Sequence, residues 1–423
     1  MSYGVLQEYF SSSFPLAGNP SLTGIIGTTS NGVMYLSMPF LFALFTRGRL
    51  ARHRQAAALV GSVVACLSFL LSSFSTDVWH LVATQGVLAA LGCALVYSPT
   101  TLSLGEWYNT GNRAVAYGLV LSCKNVVGSA CPFLMRALLD RYGFRVALRV
   151  WTAVALASSV SAIFLVPTPP STITSLAPHA STSDLDGGHE RRRIPWHFLR
   201  RRTFYIYMVA IVLQSAGYGI PQTYLNTYAH EVTLLSQTSA TLLLTLFNIP
   251  GIASSSFFGY LSNSSSSENS SNINHNKRRW LPSSSSVSAT TATSISALCS
   301  AISAFLFWGL TYQGSMALLI VFSITFGFFA GGYSATWGGI INELEHEAAM
   351  RNEAIDTGMV YGLLNGARGV GYVSGGLVSV PLLGLKMQAQ GRFGYGTEYG
   401  PLILFTGLAS VFGGWGLVWK WVR

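Results

Sequence analysis

The sequence predicts an all-α polytopic membrane protein, and its composition and its apolar stretches carry this prediction. Only 9% of the 423 residues are charged and 50% are hydrophobic, whereas soluble domains carry about 25% charged residues. The mean hydropathy of the chain is +0.43, and apolar stretches of about 20 residues, the length of one spanning helix, recur along it. This composition excludes an ordinary soluble domain and a chain that is disordered throughout.

Eleven stretches have the length and composition of complete membrane spans. They cover residues 23–45, 55–74, 78–104, 113–139, 146–167, 203–228, 238–262, 293–312, 315–341, 356–385 and 399–421. Residues 1–10 look like the last half of one more span, which we count as the first. A complete first span needs about 20 residues, so we expect the chain to be short at its start.

Cysteines and histidines are not spaced as in metal sites or disulfide frameworks. All five cysteines lie in apolar stretches without a Cys-x-x-Cys pair, and none of the eight histidines pairs at His-x-x-x-His spacing. We therefore expect no metal and no cofactor. The chain has no phosphate-binding Gly-x-x-x-x-Gly-Lys-Ser/Thr motif, which argues against an ATP-driven pump.

Basic residues outside the spans are distributed unequally between the two sides of the membrane. Seventeen lie on one side, and four lie on the other, namely Arg141, Arg145, Lys386 and Arg392. Loops rich in Lys and Arg stay in the cytoplasm, so the first side and both termini are predicted to be cytoplasmic, in a multi-pass protein of the plasma membrane. The arginine runs are better explained by contact with anionic lipid than by nucleic-acid binding.

Two loops differ from the spans in composition. Residues 168–202 are rich in Pro, Ser, Thr and charge, which is typical of a flexible linker. They separate an N-terminal six-span half, residues 1–167, from a C-terminal half, residues 203–423. Residues 263–288 are a Ser/Asn-rich tract with a short basic cluster, which we also place in the cytoplasm.

The two halves repeat a short pattern at the same topological position. Tyr117-Gly118-Leu119 in the fifth span recurs as Tyr361-Gly362-Leu363 in the eleventh, and a cation, Lys124 or Arg368, follows seven residues after each tyrosine. The fifth and eleventh spans are equivalent if a six-span unit is used twice. Parallel repeats related by an axis along the membrane normal are the plan of one large transporter fold.

Several patches, with the span count and the long middle loop, resemble the major facilitator superfamily, and within it the fungal monocarboxylate-permease-like group. Residues 4–10 are similar to the end of the group's first span, residues 143–149 to the entry of its sixth, and Glu106-Trp107-Tyr108 with Arg113-Ala114 to its fourth-to-fifth loop. The resemblance implies two six-helix halves and alternating-access uptake of a monocarboxylate with a proton. Residues 47–54 keep the basic part of the family's loop after the second span but lack its aspartate, so we expect an altered cytoplasmic charge relay.

Lys124 and Arg368 are the strongest candidates for a substrate site. They lie 11 and 12 residues from the cytoplasmic end of their spans, a depth of roughly 16–18 Å, near the bilayer midplane. A cation there costs about 2.5–3.5 kcal/mol to insert, and the central part of the spans holds no Asp or Glu to neutralise it. We expect the two cations to line an anion-binding cavity. Asn125 and Asn365, next to the cations, are secondary candidates, with interhelical hydrogen bonding as the alternative.

Three more charged residues are weaker candidates for gating or proton coupling. Arg149 lies four residues into the sixth span, where it either extends outward to the interface or contributes to a gate. Glu8 at the end of the first span and Glu231 after the seventh could exchange protons on the outer side, with solvated loop-end charges as the alternative. Arg136 is most simply an anchor at the outer membrane edge.

These features favour a secondary active transporter of a small organic anion, with a monocarboxylate-like substrate, over a polytopic enzyme. Two alternatives stay open: an exporter of a fungal secondary metabolite or drug-like compound, and a non-transporting sensor of the same fold. The expected partners are the small anionic substrate and membrane lipid, not nucleic acid, and we expect a monomer.

Overall fold

The computed structural model describes residues 3–12, 23–46, 48–108, 113–166, 196–263, 287–385 and 393–421. Every regular element within these ranges is a helix, which confirms the predicted fold class. Most of the linker 168–202 and of the tract 263–288 lies outside the described residues, so the predictions made for these two segments stay predictions.

The described residues up to 165 form six main helices, which we number along the chain. They are α1 (Tyr3–Ser12), α2 (Thr23–Thr46), α3 (Arg54–Ser72), α4 (Val78–Trp107), α5 (residues 113–142) and α6 (residues 144–165). α5 and α6 are two arms of the helix Arg113–Leu165, which bends at Gly143. Gly143 has φ 72° and ψ 172°, a conformation that glycine adopts readily because it has no Cβ.

The described residues after the linker form six more helices and one short terminal helix. They are α7 (Arg202–Glu231), α8 (Gln237–Asn263), α9 (Ala289–Trp308), α10 (Met316–Ala349), α11 (Thr357–Gly384) and α12 (Gly400–Gly413), followed by Gly416–Trp421. We call the end of the bundle at which α2 ends and α11 begins the inner end, because the distribution of basic residues predicts that it faces the cytoplasm. The opposite end is the outer end.

The helices follow the predicted spans in order but differ from them in extent. Seven described helices are long and apolar enough to cross a membrane, fewer than the eleven complete spans predicted. α5 and α6 count as one helix among the seven, α1 and α12 are shorter, and α2 and α11 are rich in glycine and polar residues. α10 continues to Ala349, eight residues beyond the predicted span, through an acidic segment that holds Glu343, Glu345 and Glu347.

Apolar side chains face outward from the bundle, and polar side chains lie between the helices. Val60, Val63 and Leu67 of α3 are 49–57% exposed, whereas Ser68 on the same helix is buried. The Ser68 hydroxyl donates to the carbonyl oxygen of Thr84 in α4 over 2.9 Å. Lipid favours this arrangement because its tails solvate apolar side chains, while hydroxyls find partners on neighbouring helices. The chain is a multi-pass membrane protein.

Helices α1–α6 meet helices α7–α12 along two related interfaces. The two most extensive helix contacts are α2 with α11 and α5 with α8. The two pairs are equivalent if each helix of one half corresponds to the helix six places away in the other half, so that α2 matches α8 and α5 matches α11. Glycines permit both approaches: a Cβ on Gly369 would lie 2.5 Å from the backbone nitrogen of Leu36, and one on Gly118 would lie 2.6 Å from the carbonyl oxygen of Ser255. The backbones of the paired helices are therefore in direct contact at these glycines.

Candidate anion-binding site

Arg368 of α11 is buried among aromatic rings. Its guanidinium carbon lies 4.9 Å from the ring centroid of Tyr35, 5.6 Å from those of Trp337 and Tyr372, and 5.7 Å from that of Tyr218. Nη2 is 3.4 Å from the Tyr372 hydroxyl oxygen, and the buried Nε has no hydrogen-bond partner among the described residues. A cation–π contact is worth about 0.5–2 kcal/mol, so the rings offset part of the cost of burying this charge.

A carboxylate partner for Arg368 does not occur in the described part of the chain. The ion pairs found there join other residues. Removing a charge from water costs several kcal/mol, and buried cations are normally paired for this reason. The rings around Arg368 come from α2, α7, α10 and α11 and hold its side chain without neutralising it. Its charge is therefore available to an anionic ligand.

Lys124 lies on α5 at the position equivalent to Arg368 on α11. Its side chain is half-buried, and it has no ion pair or hydrogen bond with another described side chain. The two cations are close enough for their charges to repel each other. The structure thus brings together the two residues that the repeat singled out, and it leaves both without an acidic partner in the described ranges.

The tyrosines of the repeat meet on the inner side of the two cations. The rings of Tyr117 and Tyr361 stack with centroids 4.5 Å apart and an interplanar angle of 8°. The hydroxyl of Tyr97 in α4 lies 3.4 Å from that of Tyr361. Tyr361 and Arg368 are seven residues apart on one helix, which is about 10 Å along its axis. Tyr97, Tyr117 and Tyr361, which we call the tyrosine layer, therefore separate Arg368 from the inner end.

A cavity of about 590 Å³ lies on the inner side of the tyrosine layer. The three tyrosines form part of its wall, and every described side chain that lines it is uncharged. The remaining lining residues come from α4, α5, α6 and the residue that follows α4 or α6: Thr100, Thr101, Ser103, Leu104, Trp107, Tyr108, Val120, Leu121, Leu165 and Val166. Pockets for small organic ligands have volumes of about 300–1,000 Å³ and mostly apolar walls, and this cavity falls within that range.

The two asparagines next to the cations are buried and hydrogen-bonded. Asn125 Nδ2 donates to Ser255 Oγ in α8 over 3.2 Å, so this side chain joins α5 to α8. Asn365 Nδ2 donates to the carbonyl oxygen of Tyr361, one turn earlier in α11, over 2.8 Å. The Asn125 bond is of the interhelical kind that the sequence left open as the alternative to ligand contact, whereas the Asn365 bond lies within its own helix.

Glu8 and Arg136 form a buried ion pair at the outer end, which the sequence did not predict. Arg136 Nη1 lies 2.5 Å from Glu8 Oε2, and the side chains are 9% and 1% exposed. Arg136 Nε also contacts Asp140 over 3.1 Å, and His230 lies within electrostatic range of Glu8. The interpretation of Arg136 as a membrane-edge anchor is therefore wrong, as is the alternative of a solvated Glu8. The pair joins α1 to α5, and only folding brings these distant residues together.

Arg149 and Glu231 lie on the periphery of the outer end. Arg149 is exposed, its Nε is 3.4 Å from Ser73 Oγ, and its guanidinium lies 5.0 Å from the Phe74 ring centroid. Glu231 is exposed at the end of α7 and accepts a hydrogen bond of 2.7 Å from the Tyr399 hydroxyl. Neither residue lies beside Lys124 or Arg368.

Two arginines connect helix ends at the inner end through ion pairs. Arg54 at the start of α3 donates to both carboxylate oxygens of Glu106 in α4, over 2.7 and 2.9 Å, so a glutamate supplies the acid that the basic loop lacks. Arg201 before α7 is bonded to Glu347 over 3.4 Å and to Glu353 over 2.6 Å. Its hydrogen bond holds the pKa of the Glu353 carboxyl below the usual value.

The described residues offer no site for a metal ion. No three His, Cys, Asp or Glu side chains cluster there as ligands, and all five cysteines are free thiols. The charged groups of the candidate site are cations, which suit an anion rather than a metal.

Comparison with known proteins gives transporter relatives over most of the chain. It is 24% identical to Monocarboxylate transporter 12-B of Danio rerio over 299 residues, which cover 66% of this chain and 58% of the relative. It is 24% identical to Monocarboxylate transporter 12 of Mus musculus (85% and 70% covered). An MFS-type transporter of Gibberella moniliformis (strain M3125 / FGSC 7600) is also 24% identical (88% and 79% covered). The chain thus spans less than two thirds of the length of the Danio rerio relative.

Solved structures share the fold of this chain. The human organic anion transporter MFSD10 (TETRAN) superimposes with a TM-score of 0.58 at 14% identity, covering 97% of this chain and 89% of the other. The nucleoside transporter NupG also gives a TM-score of 0.58, at 13% identity, with 97% and 94% covered. These relatives and neighbours are transporters rather than enzymes. The family model described as Major Facilitator Superfamily matches residues 2–376, and the chain belongs to this superfamily.

Proposed function

We propose that the chain is a secondary transporter of a small organic anion, with a monocarboxylate as the substrate. One observation carries the proposal: Arg368 is buried and has no acidic partner among the described residues. The monocarboxylate transporters among its sequence relatives support the choice of a carboxylate. The distribution of basic residues supports an inner end that faces the cytoplasm, and we propose the plasma membrane as the location.

A carboxylate would complete the hydrogen bonding of Arg368. The guanidinium can donate two parallel N–H bonds to the two oxygens of a carboxylate, and its Nε has no other partner among the described residues,. Lys124 adds a compact positive charge to the same region. Because the protein interior has a low dielectric constant, both cations attract an anion more strongly there than in water. Asn125 joins the helix that carries Lys124 to α8.

Alternating access would occur at the two related helix interfaces. One half of the bundle moves against the other about the substrate site in transporters built from repeats. Here α2 packs on α11 and α5 packs on α8, and the two cations lie on α5 and α11. A movement along these interfaces would therefore change the surroundings of both cations at once.

We assign proton coupling to Glu8 rather than to Glu231. Glu8 is buried and faces Arg136, Asp140 and His230, so a change in its protonation alters a charge cluster between α1 and α5. Glu231 is exposed. Glu8→Gln should abolish the stimulation of uptake by an inward proton gradient, while exchange of substrate across the membrane persists. Retained stimulation in Glu8→Gln, or its loss in Glu231→Gln, would contradict this assignment.

The test of the anion site is transport by purified protein in liposomes. Arg368→Gln and Lys124→Gln should each abolish uptake of labelled lactate, and Arg368→Lys should retain part of it, because lysine keeps the charge but not the paired hydrogen bonds. Arg145→Gln is the matched control, since Arg145 is exposed at the outer end. Normal uptake by both Gln variants would show that the two cations bind no substrate.

Vesicles of both orientations separate uptake from export. Uptake into right-side-out vesicles supports the proposed direction, and accumulation only in inverted vesicles would support the exporter alternative. Absence of transport in both, with ligand binding retained, would support a sensor of the same fold.

A further inference from the structure

Four helices each bring an aromatic ring to the guanidinium of Arg368. Tyr35, Tyr218, Trp337 and Tyr372 contribute the four ring contacts, from α2, α7, α10 and α11. The rings also contact one another: Tyr35 and Tyr372 stack with centroids 5.8 Å apart, and Tyr218 meets Tyr372 edge-on at 6.5 Å. We call these four residues the aromatic cage.

A carboxylate bound to Arg368 must place the rest of its molecule against the aromatic cage. The single polar contact of the Arg368 side chain with a described side chain is the Tyr372 hydroxyl. A ligand hydroxyl or amine buried against the ring faces would lose its hydrogen bonds to water, at a cost that a flat apolar group does not have. Aromatic rings, in contrast, gain energy from stacked and edge-on contacts with tyrosine and tryptophan.

The cavity on the inner side of the tyrosine layer is also mostly apolar. The described residues that line the cavity of about 590 Å³ are all uncharged, and the tyrosine layer lies between the cavity and Arg368. Tyr117 and Tyr361 present parallel ring faces in this layer. A flat aromatic body can exchange ring contacts with these tyrosines as it passes, whereas a small hydrophilic acid makes no such contact.

We propose that the preferred substrates are aryl carboxylates, in which a planar aromatic ring is joined to the carboxylate by a short linker. This inference rests on the proposed anion site and specifies its substrate class. The carboxylate binds Arg368, and the ring packs against Tyr35, Tyr218 and Tyr372. Short hydroxy acids such as lactate use the cation alone and bind more weakly.

The test compares matched ligands on the purified wild-type protein by equilibrium binding. The probes are 3-phenylpropionate, 3-cyclohexylpropionate, lactate and the neutral 3-phenylpropanamide. We expect 3-phenylpropionate to bind at least about tenfold more tightly than lactate, because it adds ring contacts and buried apolar area. The affinity of 3-cyclohexylpropionate should lie between those of 3-phenylpropionate and lactate, since it buries a similar apolar area but has no aromatic ring to stack. The amide should bind more weakly than the acid.

Variants of the aromatic cage test whether the rings cause the preference. Tyr218→Leu should reduce the ratio of phenylpropionate to lactate affinity by about three- to tenfold, while Tyr218→Phe should keep it, because the ring and not the hydroxyl makes the contact. Tyr142→Leu is the control, since Tyr142 is 59% exposed. The comparison of ligands on the wild-type protein stays decisive if Tyr218→Leu fails to fold.

The outcomes separate this inference from the function on which it rests. Equal binding of lactate and phenylpropionate, both lost in Arg368→Gln, overturns the aryl preference and leaves the anion site standing. Binding of the neutral amide as tight as that of the acid overturns the anion site. Failure of every carboxylate to bind overturns both the aryl preference and the anion site.

Discussion

The rings of Tyr117 and Tyr361 lie parallel with their centroids 4.5 Å apart, although one residue lies near the start of α5 and the other near the start of α11. The two tyrosines occupy equivalent positions of the repeated pattern. Residues related by a two-fold axis contact each other only close to that axis, so the stack marks the place where an axis relating the two halves would run. Lys124 and Arg368 follow two helical turns later, which explains why these cations also come together.

The stack should contribute a measurable coupling energy between α5 and α11. In a double-mutant cycle with Tyr117→Leu and Tyr361→Leu, we expect a coupling of about 0.5–1.5 kcal/mol, the usual value for an aromatic pair. Thermal or chemical unfolding in detergent provides the measurement. A cycle of Tyr117→Leu with Tyr205→Leu is the control, because Tyr205 is exposed. Additive effects of the first pair would show that the stack contributes nothing.

Removing Arg136 should destabilise the protein strongly. Arg136→Met leaves the buried Glu8 without its guanidinium, and breaking a buried pair from one side costs about 3–5 kcal/mol. The double variant Glu8→Gln with Arg136→Met should recover part of this loss, because no isolated charge remains. Arg145→Met, an exposed neighbour, should change the unfolding free energy little. A loss in Arg136→Met no larger than in Arg145→Met would contradict the buried pair.

Gly375 should not tolerate a methyl group. A Cβ there would lie 2.1 Å from the carbonyl oxygen of Ala216, so Gly375→Ala must push α11 away from α7. We expect a loss of about 1–3 kcal/mol, typical of overpacking in a tight interface, measured as a lower melting temperature in detergent. Gly384→Ala on the same helix is the matched control, because no atom lies within 4 Å of its added Cβ. Equal melting temperatures for the two variants would rule out the close approach.

The inner end should be inaccessible to reagents applied outside intact cells. In a variant without the five native cysteines, a cysteine at Ser183 should not react with an impermeant maleimide, because the linker is predicted to be cytoplasmic. A cysteine at Ser236, exposed between α7 and α8, should react. Strong labelling at position 183 from outside would show that the protein has the opposite orientation in the membrane.

Much of the site could be predicted from the sequence, because burial and the repeat both left a signal in it. Lys124 and Arg368 stand out as charges deep within apolar stretches, and the Tyr-Gly-Leu pattern relates their helices. No comparable signal joins Glu8 to Arg136, since the two residues lie far apart in the chain and each is near a helix end. The acidic extension of α10 was missed for a local reason: a helix can continue beyond the apolar stretch that predicts its span.

The apolar stretches are enough to establish an all-helical membrane protein, because segments of this length must satisfy their backbone groups internally in lipid. They also show which charges are deeply placed. The surroundings of those charges depend on how the folded helices pack. The aromatic cage of Arg368 takes rings from four helices, the pair of Glu8 and Arg136 joins α1 to α5, and Asn125 bonds to α8. Such contacts depend on how helices are arranged around one another, and the apolar period of a single helix shows which face is buried but not which helix covers it.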